Sequence, residues 1–215
     1  MSEIVSYERS NLTMRGKNQV VIGDVTKFAE LPLQNLKPDK QKIKSAVFES
    51  FHHITGTSNQ VILTAYNSKQ LPEVMFMSWS DFPYLHHVEQ GGDLLLQEIS
   101  KHHYKYVLID NTYVKSGWMN DKVAQYSDAI LYPALVECGL KGFGHIPSQG
   151  MLGAKSFEEF KKTTQNYLDH IAAKLHKPCF KYVPVILSEE LGKTDKPAMR
   201  QQALEEGIDK LLSIV

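Results

Sequence analysis

Tyr104-Lys-Tyr-Val-Leu-Ile-Asp110, then Leu131-Tyr-Pro-Ala-Leu-Val-Glu-Cys-Gly-Leu-Lys141, then Gly142-Phe-Gly-His-Ile146 is the run whose reading decides the fold. The first segment is apolar nearly throughout and stops on a carboxylate, the pattern of a strand covered on both faces. The second belongs to a helix capped by Asn120 and ended by Gly139, with Val123, Tyr126, Ile130, Ala134 and Cys138 as its inward stripe. Pro133 lies inside that helix, where a missing N–H and a clash with the preceding turn cost about 3 kcal/mol unless the helix deforms. The third is a short strand, and Pro147–Ser156 after it is a small-residue loop that opens another helix.

Working outward, the same alternation continues. The sequence predicts strands over 60–66, 73–79 and 180–187, and helices over 83–101, 157–175 and 196–213. Helix 157–175 faces inward through Phe157, Phe160, Tyr167, Ile171 and Leu175, with Ser156 and Glu159 as a capping box. Helix 196–213 packs through Met199, Ala203, Ile208 and Leu211. The turn Asn67–Pro72 is short enough to make 60–79 a hairpin, and Pro184 argues for an edge position of the last strand. The expectation is an α/β fold: a mostly parallel sheet of four to five strands flanked by helices. Residues 1–58 read as an N-terminal extension containing a strand near 19–23 and a helix near 39–54, where Ile43, Val47, Phe51 and Ile54 form one stripe. Residues 59–215 read as the α/β domain, and the extension as a cap on the sheet or an arm of a homodimer.

Bulk composition narrows the function classes. The 215 residues hold 24 Lys plus Arg against 24 Asp plus Glu, so no excess of positive charge is present to neutralise phosphates, and nucleic acid is not an expected partner. Cys138 and Cys179 are far apart and form no Cys-x-x-Cys, so two buried free thiols are expected. No apolar run approaches the length of a membrane span and no secretion signal opens the chain, which together predict a cytoplasmic protein.

The strand ending at Trp79, the strand ending at Asp110, the helix with Leu131–Lys141 and the short strand reaching Ile146-Pro147 resemble STAS-like proteins, relatives of the anti-sigma-factor antagonists whose gross fold is shared by CRAL-TRIO lipid carriers. The likeness covers about residues 60–160. It implies a bacterial, non-enzymatic regulatory protein that works by binding a partner or ligand. It also implies a switch by serine phosphorylation, for which Ser116 is the nearest candidate; Lys115 stands before it where the family has an acidic residue.

Catalytic signatures are few. The pairs His52-His53, His86-His87 and His102-His103 lack the three- or four-residue spacing that lets two imidazoles on a helix share a metal, so no metal is expected. Each pair lies in or near the end of a predicted helix, where polar or cationic groups suit the last carbonyls. Gly153-Ala-Lys155-Ser156 departs from a phosphate-binding loop at Ala154, and no Gly-x-Ser-x-Gly elbow occurs. Core packing accounts for Cys138, Trp79, Trp118 and Tyr126, and no cofactor is expected. Ligands of open α/β sheets gather beyond the carboxyl ends of parallel strands. That places Asp81, Asp110, Asn111, Thr112, Ser148 and Gln149 on a polar rim without a cation, Asp110 foremost. A small-molecule or lipid carrier is the competing expectation, with an apolar cavity between the sheet and helices 83–101 and 119–138, opened by Gly91-Gly92 and Pro133. An enzyme acting at the rim is the third.

Overall fold

The computed structural model describes residues 19–21, 47–56, 59–115, 121–148, 154–185 and 195–214. Its strands follow one another across the sheet in chain order. β2 (Val47–Thr55), β3 (Val61–Asn67) and β4 (Val74–Asp81) pair antiparallel, and the three-residue β1 (Gln19–Val21) adds to the outer side of β2. β4, β5 (Tyr106–Val114), β6 (Gly142–Ile146) and β7 (Lys181–Pro184) pair parallel. Six strands from Val47 onward, with β1 beside them, correct the four to five expected.

The added strand is the one read as a helix. Val47–Thr55 carries Val, Phe, Phe, Ile and Thr, residue types that suit a pleated surface, and it hydrogen-bonds along β3. Phe48, outside the expected helical stripe, is fully buried. The rest of that predicted helix, 39–46, lies outside the described residues. The hairpin β3–β4 and the edge position of β7 are as the sequence indicates.

Between the parallel strands run α1 (Leu85–His102), a rod made of α2 (Asp121–Tyr126), a π-helical turn (Ser127–Leu131) and α3 (Tyr132–Glu137), and then α4 (Ala154–Leu175); α5 (Lys196–Leu212) follows β7. The sheet has two apolar faces. Met75, Met77, Trp79, Val107, Ile109 and Phe143 point to a core completed by the first three helical segments and α4. Val74, Phe76, Tyr106, Leu108 and Ile146 point the other way, toward Ala203, Leu204, Ile208 and Leu211 of α5. Helices on both faces bury most of the parallel strands, β4 to β6 above all, which is why their sequences are largely apolar without alternation.

Pro133 is accommodated by the π turn. Tyr132 N–H bonds to Ser127 O, one residue farther back than in an α-helix, and Pro133 then falls in the first turn of α3, where proline is best tolerated. The next acceptor, Asp128 O, would look to residue 133 for a donor that proline lacks. Tyr167 on α4 supplies it, its hydroxyl donating to Asp128 O at 2.9 Å. The inserted turn also slips the inward stripe by one residue. Val123 and Tyr126 are buried as expected, but Ile130 is 54% exposed, Cys138 is exposed, and Leu135 and Val136 occupy the core. On α4, Leu168 is buried and Tyr167 is exposed. Cys179 is only partly buried, so neither thiol is the buried core residue expected. Because α4 begins at Ala154, Ser156 lies within it and is not its N-cap.

The β7 edge has no unpaired N–H over residues 181–185. Lys181 and Val185 donate inward to β6; of the outward positions, Tyr182 N–H is accepted by Gln165 Oε1 at 2.9 Å and Pro184 has no N–H.

Candidate functional site: a cavity between sheet and helices

Two adjacent residues of β5 lead to opposite faces of the sheet. Between Ser78↔Asp110 and Ser80↔Tyr113 the register with β4 slips, so two residues of β5, Asn111 and Thr112, face one of β4, Trp79. Such a bulge re-aims the side chains around it.

Asp110 faces α5 and is fully buried. Its Oδ2 accepts from Arg200 Nε at 2.6 Å and from Ser78 Oγ at 3.1 Å, and its Oδ1 accepts from the Thr112 backbone N–H at 2.9 Å and the Thr112 hydroxyl at 2.5 Å. Arg200 also reaches Ser78 Oγ at 3.2 Å and lies over the rings of Phe76 and Tyr113. The expected rim without a cation is therefore corrected twice. The cation is Arg200, from an unpredicted distance in sequence, and Asp110 is no open rim residue but half of a buried ion pair that fastens α5 to the sheet.

Asn111 points the other way, into a cavity of about 80 Å³. Trp79 of β4, Val88, Gly91, Gly92 and Leu95 of α1, Ile109 of β5, Phe143 and His145 of β6, and Ser127, Leu131 and Tyr132 of the helical rod enclose it with Met77. The sheet side is buried; Ser127, Leu131 and Tyr132 are half-buried, so the mouth lies at the π turn. The two glycines set the walls. A Cβ on Gly91 would lie 2.6 Å from the Trp79 ring, and one on Gly92 would lie 2.1 Å from the Tyr126 hydroxyl. They seat two aromatic side chains against the helix backbone, where any larger residue would displace them.

The polar end of the cavity is a short relay. Asn111 Nδ2 lies 2.9 Å from His145 Nε2, and His145 Nδ1 lies 2.7 Å from the Tyr182 hydroxyl. Burial pushes the His145 pKa down to about 4, partly opposed by the charge of Asp110, so the imidazole is neutral. Burial, with Asp128 and Tyr167, pushes the Tyr132 phenol up to about 12. The lining is thus uncharged across the physiological range. Among the described residues Asn111 Oδ1 is buried without a hydrogen-bond partner.

The other candidates are dispersed. Asp81 is bonded by Lys115 and Gln60, and Lys115, through its hydrogen bond, holds the carboxyl below the usual carboxylate range. Thr112 supports Asp110, and Ser148 is buried beyond β6. Ser116 and Gln149 lie outside the described residues. His52-His53 stands on β2, not near a helix end, with His53 Nδ1 3.0 Å from the Thr64 hydroxyl. His87 Nδ1 accepts the Tyr84 N–H at the start of α1, and His103 is its left-handed C-cap. Among the described residues no three His, Cys, Asp or Glu side chains gather as a metal ion requires, and no helix is long and apolar enough to cross a membrane. Reasoning from the sequence missed His145, Tyr182 and Arg200; only the position of His145 on an otherwise apolar strand offered a signal.

No family model, no curated protein and no solved structure matches this chain.

Proposed function

We propose that the protein binds a small, uncharged, mainly apolar molecule in the cavity between the sheet and the α1 and π-turn walls, as a carrier or sensor. One observation carries the reading: an apolar cavity lined by a buried amide whose oxygen has no partner among the described residues. Apolar walls with a few convergent polar groups are the usual make-up of small-molecule sites. Volume selects within that class. An engineered cavity of about 150 Å³ holds benzene, so about 80 Å³ suits a smaller molecule and not a long acyl chain. The lipid form of the carrier expectation is therefore not proposed.

Ligands that bind only the folded state raise its stability in proportion to the logarithm of their concentration. Thermal denaturation against a panel of neutral compounds smaller than benzene is expected to raise the melting temperature with a subset of apolar members. Leu131→Trp, at the half-buried mouth, is expected to abolish that rise while leaving the unliganded protein folded. A flat response across the panel contradicts the reading.

Regulation through a protein partner, which the STAS-like resemblance implies, is the second reading. The exposed Phe82 and Tyr84, beyond the end of β4, favour it. Alanine at both positions is expected to abolish partner capture without altering the melting temperature.

A further inference from the structure

Asn111 is 98% buried, with one amide atom engaged and the other not. The neutral imidazole of His145 carries a single proton. With Nε2 accepting from Asn111 Nδ2, that proton sits on Nδ1 and is donated to the Tyr182 oxygen. Both ring nitrogens are then used, and the relay has no donor left for Asn111 Oδ1. A buried carbonyl oxygen without a donor is unfavourable, and native structures contain few of them. Asn111 lines the cavity, and because Oδ1 itself is closed to solvent, a donor in the cavity reaches it with a small shift of the amide.

Among the described residues the lining contains no Asp, Glu, Lys or Arg to give a cation or an anion a counter-charge. A hydroxyl brings a donor in a single heavy atom, which matters in about 80 Å³; an amide N–H arrives with a carbonyl that needs a donor of its own. Resting on the reading that the cavity is a ligand site, we propose that its ligand is a small neutral alcohol. The ligand's O–H donates to Asn111 Oδ1, and its hydrocarbon part lies against Trp79, Leu95 and Phe143.

The test is an amide NMR titration of the full chain with 1-propanol and, separately, with ethyl methyl ether, an isomer that has the same atoms but no O–H. Both are expected to shift the Gly91, Gly92 and Asn111 signals, with the alcohol binding about tenfold more tightly, the size of one well-made hydrogen bond. Asn111→Leu is expected to reduce the affinity for the alcohol to that for the ether. Equal binding of alcohol and ether by the wild-type protein overturns the donor requirement and leaves the cavity a ligand site. No shift with either compound at its solubility limit overturns the cavity reading and the alcohol with it. The wild-type comparison decides even where the Asn111→Leu variant does not fold.

Discussion

Asp110 and Asn111 are neighbours in sequence and opposites in role. Asp110 draws attention as a carboxylate at the end of a strand, but its contacts are those of a structural ion pair with Arg200. Removing one partner of a buried pair leaves the other charge uncompensated, at a cost of about 3 kcal/mol or more. Asp110→Asn is therefore expected to lower stability by about that amount in urea denaturation, and Asp110→Leu with Arg200→Met to restore most of it. An enzyme using Asp110 at an open rim would show the reverse: lost turnover and an unchanged melting temperature. His145 offers a second handle at this scale. Its pKa falls from 6.5 unfolded to about 4 folded, so the unfolded chain takes up the proton first. The contribution is complete above the unfolded value and is lost as pH falls from 6.5 toward 4, with a limiting slope of about 1.4 kcal/mol per pH unit. His52, His53 and His87, also lowered by burial, act in the same direction. The comparison that isolates His145 is therefore between wild type and His145→Gln, and the variant is expected to lose stability less steeply over that range.

At the scale of elements, the cavity depends on two departures from regular structure. The π turn widens the rod at Ser127–Leu131, and the bulge on β5 turns Asn111 inward. The glycine pair of α1 is the third ingredient. Alanine at Gly91 gains about 1 kcal/mol of helix propensity, but its Cβ would stand 2.6 Å from the rigid Trp79 ring. The clash outweighs the propensity, because overpacking typically costs about 1–3 kcal/mol. Gly91→Ala is expected to be less stable than wild type and to change Trp79 fluorescence; a stabilised variant with unaltered fluorescence would refute this seating. These elements also show what was legible in the sequence. The alternation from Val74 to Leu212 was plain, because continuous apolar strands and helical stripes differ in period. Pro133 and Gly91-Gly92 marked the right helices. The form of the deformation was hidden, since a one-residue slip in the inward face leaves composition untouched and only moves burial from Ile130 to Leu135 and Val136. β2 was misread because Val47, Phe51 and Ile54 keep helical spacing, and the irregularity between Ser50 and His52 breaks the two-residue alternation that would have marked a strand.

Taken as a molecule, the sheet winds in strict strand order and has no reversal, the place where open α/β sheets usually open a crevice at their strand ends. The cavity lies instead within one layer interface, below the rim that strand-end reasoning selects. Long-range pairing explains why the polar grouping was not legible: Asn111 was read only as a rim residue, and its partners His145 and Tyr182 come from two other strands. Arg200, ninety residues from its partner Asp110, closes the opposite face. The account stands on the cavity being a site that small apolar molecules enter. Crystals pressurised with xenon test this most directly. The expected result is anomalous density between Trp79, Leu95, Leu131 and Phe143 that Leu131→Trp removes; well-diffracting crystals without xenon in that space would contradict it.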